Sequence, residues 1–367
     1  MSRNIIFVCD HLHGGGAERI NIEIARKFLK NGFKVSFILL DGSKFGFEDL
    51  EKFDIYDLNI KFKGSLFREK GKKICPSKIE YIKKIEQDLH PELIIFSFAF
   101  AYWLKKYFSS SNKWLWVHSE LTFFNARKRS SNIFSYLNEI RRIYIEKKCF
   151  YRIFNNEKIL VVNTDLINFY CEYSNPKEIH FLPNGVNVEN IDVVEIKRKE
   201  FAIIYVGRLS EEKRIDVAIN AFIDSNIEGV MAIVGDGPLK NDLMNFVRNK
   251  GLEDKVLFLG WRNDPENFIK KSHMLVLTSR TEGYGLVVSE AICLGIPVVA
   301  YNTSSGVEYQ LSVGELNKGL VKLNDYSDLV YKLKSVYADP YKITAQDKNR
   351  LSLENTFLRL IDITGID

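Results

Sequence analysis

The sequence predicts an α/β chain made of two doubly wound, Rossmann-like domains, and three observations carry that prediction. Two segments, beginning at Asn4 and at Phe201, open alike with an apolar run, a glycine turn and a helical pattern. The apolar runs are nearly continuous instead of alternating, which suits parallel strands covered on both faces. At 367 residues the chain exceeds one ordinary domain.

The first opening is residues 4–9 (NIIFVC), followed by the turn Gly14-Gly15-Gly16. Ala17, Ile20, Ile22, Ile24, Ala25, Phe28 and Leu29 then form a helical pattern, Asn31-Gly32 stops the helix, and residues 34–40 (KVSFILL) read as the next strand. Strand, turn, helix and strand within about forty residues is a βαβ unit. The second opening is residues 201–206 (FAIIYV), then Gly207-Arg208-Leu209 and a helix over about 215–222. Strands follow at 229–234, closed by Gly235-Asp236-Gly237-Pro238, and at 256–259, 274–278 and 297–300, with helices between. The turn-forming stretch Leu182-Pro183-Asn184-Gly185 divides the chain into an N-terminal domain, 1–185, and a C-terminal domain, 186–350. A last helix, about 353–363 within 351–367, follows a polar stretch long enough to return it to the first domain.

Composition narrows the class. Hydrophobic residues make up 46% and charged residues 27%, which is globular and excludes a disordered chain. The five cysteines are odd in number and scattered without a CxxC pair, so a reduced compartment is expected and a zinc site is not. The run Ile5–Cys9 is too short for a signal-peptide core and no small-residue cleavage site follows it. No stretch approaches the roughly 20 apolar residues of a spanning helix. The expectation is therefore a cytoplasmic protein, at most peripheral on a membrane. Charge is uneven: residues 1–185 hold 30 Lys+Arg against 21 Asp+Glu, and residues 186–367 hold 22 against 26, so +9 and −4. A basic half joined to an acidic half suggests a different partner for each.

The segment from Arg280 to Ala291 (RTEGYGLVVSEA) carries the most chemistry. It follows a predicted strand and opens a helix, where glycines admit close approach and free N–H groups with the helix dipole favour an anion. Glu282 falls in the turn and Glu290 within the helix, so two carboxylates at different depths are placed to accept hydrogen bonds from two polyol parts of one ligand. Taken alone, each reads equally as a solvated glutamate.

Glu282 and Glu290 enclose seven residues, and this resembles the E-x7-E motif of retaining GT-B glycosyltransferases, the large family 4 group. The neighbouring text is similar too: Val206-Gly207-Arg208-Leu209 with Lys213, Val234-Gly235-Asp236-Gly237-Pro238, Leu259-Gly260-Trp261 and Gly295-Ile296-Pro297. The resemblance covers most of 200–310. It is thinner in the N-terminal half, through Gly14-Gly15-Gly16-Ala17-Glu18-Arg19, Trp116-Val117-His118-Ser119 and Pro183-Asn184-Gly185-Val186. It implies the GT-B fold, two Rossmann-like domains facing across a cleft, and a transferase taking a hexose or N-acetylhexosamine from a nucleotide sugar, UDP-linked by family frequency, to a glycan or glycolipid acceptor.

The resemblance also implies residue roles. Arg208 and Lys213 meet the donor diphosphate, Glu282 the sugar, and Glu290 the ribose. Gly207, Gly285, Leu286 and Val287 line the nucleotide from the C-terminal domain, and Gly15 and Gly16 approach the phosphates from the other. Fixed cations aimed at a leaving nucleoside diphosphate stabilise charge that grows as the glycosidic bond breaks. His118, at the end of the strand-like run Trp114–Val117, reads either as a structural histidine or as a hydrogen-bonding group beside the reacting sugar. No D-x-D motif is present and Cys9–His13 lie too close along the chain to converge, so neither a metal nor another cofactor is expected. An NAD fingerprint fits poorly, because Gly14-Gly15-Gly16 is not G-x-G-x-x-G.

Between residues 121 and 154, Arg127-Lys128-Arg129, Arg141-Arg142 and Lys147-Lys148 interleave with Phe123, Phe124, Phe134, Tyr136, Tyr144, Phe150 and Tyr151. Two readings stay open: a surface for anionic lipid or an anionic glycolipid, or an amphipathic helix packing its aromatics inward. No nucleic-acid module accompanies the patch, so nucleic acid is not an expected partner. The rival functions are an epimerase or hydrolase of nucleotide sugars and a non-catalytic partner that keeps the fold; the intact set Arg208, Lys213, Glu282 and Glu290 argues against the latter.

Overall fold

A computed structural model of the chain describes residues 3–47, 49–68, 72–121, 124, 133–187 and 199–366. It divides into two units, Met1–Leu182 with Phe357–Asp367, and Pro183–Thr356.

The first unit holds β1 Asn4–Cys9, α1 Gly16–Lys30, β2 Lys34–Leu39, β3 Asp54–Asp57, α2 Pro76–Leu89, β4 Leu93–Ser97, β5 Lys113–Val117, α3 Ile133–Phe154, β6 Lys158–Val161, α4 Thr164–Tyr173 and β7 Glu178–Phe181. Its strands form one parallel sheet in the order β3-β2-β1-β4-β5-β6-β7. Every residue of β1 and β4 is buried, as their unbroken apolar sequences require of central strands covered on both faces. In α1 the four-residue spacing of Ile20, Ile24 and Phe28 turns all three onto the sheet, where Phe28 meets Phe7 edge-on at 6.4 Å.

The second unit holds β8 Phe201–Val206, α5 Ile215–Asp224, β9 Met231–Val234, α6 Lys240–Asn249, β10 Val256–Gly260, α7 Pro265–Lys270, β11 Ser272–Leu277, α8 Leu286–Cys293, β12 Val298–Tyr301, α9 Ser305–Leu311, β13 Leu320–Val321, α10 Tyr326–Ala338 and α11 Ala345–Arg350. Its parallel sheet runs β10-β9-β8-β11-β12-β13. The division between units passes through the last helix, α12 Leu353–Thr364. Its start belongs with the second unit, where Leu353 N–H donates to Val186 O (2.8 Å) and Thr356 Oγ1 to Pro183 O (2.9 Å). Its remainder belongs with the first: Phe357 packs edge-on against Phe28 at 5.0 Å, and Arg359 donates to Phe181 O at 3.2 Å.

Both sheets have a point where consecutive strands depart to opposite sides, between β1 and β4 in the first and between β8 and β11 in the second. Crevices outside the carboxyl ends of strands at such switch points are where open α/β sheets bind ligands.

Candidate functional site

Arg208, Lys213 and Glu282 come from the two loops that leave the switch point of the second unit. The first loop follows β8 and is pinned to the turn after β9 by Gly207 N–H to Val234 O (3.0 Å), Leu209 N–H to Asp236 O (2.9 Å) and Leu239 N–H to Leu209 O (3.0 Å). Contact this close needs glycine: at Gly235, where φ is +139°, a Cβ would lie 1.9 Å from Gly207 O. Beneath the loop Tyr205 donates its hydroxyl to Arg208 O at 3.2 Å. Burial, with Glu282 and Glu212 nearby, pushes its phenol far up, so it remains a donor. Arg208 itself is exposed.

The second loop follows β11 and is stitched to the first. Thr278 Oγ1 donates to Arg214 O (2.9 Å) and Arg280 N–H to Glu212 O (2.7 Å). Across this seam Glu282 Oε1 accepts from Lys213 Nζ at 2.7 Å and from Ser279 Oγ at 2.6 Å. The Lys213 and Glu282 side chains are 22% and 11% exposed, so the pair is poorly screened yet reachable from solvent. Sequence spacing gives no sign of this ion pair, because its partners are 69 residues apart.

Gly285 caps the start of α8 at φ +76°, and its missing Cβ leaves room for Val307, whose Cγ2 would otherwise lie 3.2 Å away. Leu286 and Val287 form the first turn, partly exposed, and Glu290 lies half-buried one turn further on, while Val288, Ala291 and Ile292 are fully buried. The entry to α8 is held from behind: Ser289 Oγ donates to Gln310 Oε1 at 2.6 Å, and Gln310 donates to Tyr284 O. Sequence patterning does not single out Ser289 or Gln310.

At the switch point of the first unit, Gly15 is the N-cap of α1, in extended backbone, and Gly16 its first residue. The Glu18 carboxylate folds back so close that a Cβ on Gly15 would lie 2.4 Å from it. His118 follows β5. Its Nε2 is 3.4 Å from Ser97 Oγ, which accepts from Asn21 Nδ2 at 2.8 Å. Its Nδ1 is buried and has no partner among the described residues. Packed near Trp116 and Phe98, the ring is desolvated and its pKa falls to about 3, so it is neutral near pH 7. A neutral imidazole of this kind donates or accepts a hydrogen bond but is not a proton shuttle. Phe98 sits at φ +74°, a costly conformation for a bulky residue, immediately after β4. Asp10, at the end of β1, accepts from the N–H groups of Phe100 (3.1 Å) and Ala101 (2.7 Å) and fixes that turn, while burial pushes its pKa up to about 6.

In the Cys9–His13 run the first three side chains go to different surroundings. Cys9 is buried in β1, Asp10 turns to the backbone of Phe100 and Ala101, and His11 Nδ1 faces Glu18 at 3.5 Å. Of the basic aromatic segment, Phe123 and Arg127-Lys128-Arg129 lie outside the described residues. The rest splits between its two readings: Phe124 and Phe150 are buried, whereas Phe134, Tyr136, Tyr144 and Tyr151 are exposed. Among the described residues no helix is long and apolar enough to cross a membrane.

Comparison with known proteins agrees with this geometry. Residues 187–352 match the family model described as glycosyl transferases group 1. The UDP-Gal:alpha-D-GlcNAc-diphosphoundecaprenol alpha-1,3-galactosyltransferase of Escherichia coli is 33% identical over 184 residues, 46% of this chain and 47% of that one. The chain thus matches about half the length of that relative. A glycosyltransferase of Haemophilus influenzae is 28% identical over 360 residues, 95% and 94% of the two chains. An O-antigen biosynthesis glycosyltransferase of Escherichia coli and a lipopolysaccharide 1,6-galactosyltransferase of Salmonella typhimurium match over 212 and 173 residues, 28% and 29% identical. Among solved structures, sucrose-phosphate synthase from Thermosynechococcus elongatus superposes with a TM-score of 0.72 over 98% of both chains at 18% identity. By fold this chain is a GT-B protein, and the sequence relatives named above are bacterial glycosyltransferases.

Proposed function

We propose that the chain is a retaining, metal-independent glycosyltransferase of bacterial cell-envelope glycan assembly. It moves a hexose or N-acetylhexosamine from a UDP-linked donor to a glycan or lipid-linked acceptor. The observation that carries this reading is the Lys213–Glu282 pair joining two stitched loops at one sheet's switch point, with Arg208 exposed on the first of them. The E. coli relative whose name gives a UDP-galactose donor and a lipid diphosphate acceptor supports the substrate classes.

In this reading the first turn of α8, from Gly285 through Leu286 and Val287, presents N–H groups to the donor diphosphate, and Gly207 lets the chain approach it without a side chain. Arg208 and Lys213 neutralise the charge that collects on the leaving diphosphate as the C1–O bond breaks. Glu290 accepts from the ribose hydroxyls. Glu282 shares its carboxylate between Lys213 and the donor sugar. The acceptor hydroxyl attacks from the face the diphosphate leaves, and its proton passes to a departing phosphate oxygen, so the anomeric configuration is kept. In the first unit, taken by itself, Gly15 and Gly16 offer backbone N–H groups to a phosphate, and the Nδ1 of His118, without a partner among the described residues, offers a hydrogen bond to a sugar hydroxyl. The protein acts in the cytoplasm, attached peripherally to the inner face of the plasma membrane, an attachment supported by the exposed apolar side chains of α3. The test is release of UDP from UDP-sugars in the presence of EDTA, with and without a polyprenyl-diphosphate-linked sugar. Acceptor-dependent release is expected. Release without acceptor instead indicates a hydrolase, and no turnover with any nucleotide sugar indicates a non-catalytic protein.

A further inference from the structure

One side chain, Gln310, grips the segment of Glu282 and Glu290 at two places. Tyr284 lies two residues after Glu282, and Ser289 immediately precedes Glu290. Gln310, in α9, is fully buried, as is Ser289. Its Nε2 donates to Tyr284 O and, at 3.0 Å, to Gly306 O, while its Oε1 accepts from Ser289 Oγ at 2.6 Å. Both amide hydrogens and the amide oxygen are thus committed. With a carbonyl at each amide hydrogen and a hydroxyl donor at the oxygen, no other side chain of this size supplies the same set. Glutamate sets oxygens against two carbonyls, methionine has no donor, and asparagine is one carbon short. Gln310 is held in turn from α11. Arg350 donates from Nη1 to Tyr309 O at 2.5 Å and from Nη2 to Gln310 O at 2.9 Å, and its guanidinium lies 4.8 Å from the centre of the Tyr309 ring.

Three helices, α8, α9 and α11, therefore meet through one buried amide. In such surroundings a freed carbonyl or hydroxyl finds no water, so the three bonds hold firmly. They hold the backbone of a loop, not only a core. Tyr284 O belongs to the turn that ends at Gly285, the cap of α8, and Ser289 belongs to the next turn of that helix. A side chain bonded to both fixes the path of the chain between them, and small displacements of groups that meet a ligand are costly. We propose that Gln310 is a positioning residue of the donor site. It sets the span between the turn of Glu282 and the helical turn of Glu290, and with it the placing of the first turn of α8. That the span is matched to a nucleotide sugar rests on the proposed function. The span itself rests on the three hydrogen bonds.

Calorimetry of UDP binding and amide hydrogen exchange without nucleotide test it, on the parent and three variants, below the unfolding temperature of the least stable. Gln310→Met keeps the volume and removes all three side-chain bonds. It should bind UDP about tenfold more weakly, the worth of about one net hydrogen bond. Peptides covering 281–288 should exchange faster in it, while those of the first unit keep their rates. Ser289→Ala removes one bond and should shift both readings the same way by less; it carries the test if Gln310→Met does not fold. Gln310→Glu gives a pH signature that a merely stabilising core residue would not. Burial against two carbonyls favours the neutral carboxyl, which keeps one donor, so its UDP affinity relative to the parent should rise as the pH falls from about 8 to about 6. Parent affinity and parent exchange in both Gln310→Met and Ser289→Ala would overturn the proposal. So would a Gln310→Glu deficit equal to that of Gln310→Met at every pH, since donation would then not matter. If the parent itself binds no UDP, the donor reading falls, and faster exchange of 281–288 in the variants still upholds the span.

Discussion

Glu282→Gln separates the two roles of the Lys213–Glu282 pair. At 2.7 Å, with an effective dielectric constant near 20, the gross attraction is roughly 6 kcal/mol. Desolvation of both ions offsets most of that. The amide keeps an oxygen for Ser279 and nearly the same volume, so the net loss is about 1–2 kcal/mol. For a unit of this size that lowers the melting temperature by roughly 2–8 °C. The change also leaves Lys213 without its carboxylate, and a diphosphate no longer competes with Glu282 for it. UDP should therefore bind as well as in the parent or up to about tenfold more tightly, while transfer at saturating donor falls, because the carboxylate that orients the sugar is gone. Calorimetry of UDP binding, thermal unfolding and steady-state kinetics on one preparation read all three. Weaker UDP binding with full turnover would refute the reasoning, since Glu282 would then be holding the nucleotide and not the sugar.

Arg208→Ala should reduce kcat by about 100-fold or more and leave the melting temperature unchanged, because the side chain is exposed; normal kcat at saturating donor removes its leaving-group role. Gly235→Ala forces a Cβ to 1.9 Å from Gly207 O at φ +139°, and should cost about 2–4 kcal/mol and weaken UDP binding by shifting the loop of Arg208. Gly251→Ala is its control, at φ +63° with nothing within 4 Å, and should cost about 1 kcal/mol; equal losses in unfolding experiments would deny the tight crossing. The folded His118 has its pKa lowered from 6.5 to about 3, so the unfolded chain takes up a proton that the folded chain refuses. Its contribution to stability is present above pH 6.5 and is lost as pH falls toward 3. His118→Gln should therefore flatten the fall in urea midpoint between neutral and mildly acid pH, and an unchanged slope would show that the ring is solvated.

Much of the fold is legible in the residues because its central strands are unbroken apolar runs. Residues 4–9 and 201–206 fall on β1 and β8, and the spacing in α1 puts Ile20, Ile24 and Phe28 on the sheet. Of the edge strands, β10 is legible at 256–259, but the other three are not. Sequences such as DIYD in β3 and EIHF in β7 are half-exposed and carry charge, and β13 has only two residues. Strand β9 begins at Met231 and not at 229, because Gly229 takes φ +111° in the preceding turn. In the candidate site, Arg208, Lys213, Glu282 and the cap at Gly285 announce themselves by lying just after strands or before a helix. The side chains that fix them do not. Ser279, Gln310, Asp10, Ser97 and Asn21 act through contacts that only the fold brings together, and Asn21 and Ser97 are 76 residues apart. The exposed stripe of α3 was equally illegible, because its aromatics read the same whether they face in or out.

The central claim is transfer with retention by a site that needs no metal. Its most direct measurement is incubation with α-linked UDP-sugars and a polyprenyl-diphosphate-linked sugar in EDTA, followed by NMR of the purified product. The account predicts UDP release that depends on the acceptor, and one new α-glycosidic bond. A β linkage, or turnover only after divalent metal is restored, would contradict it.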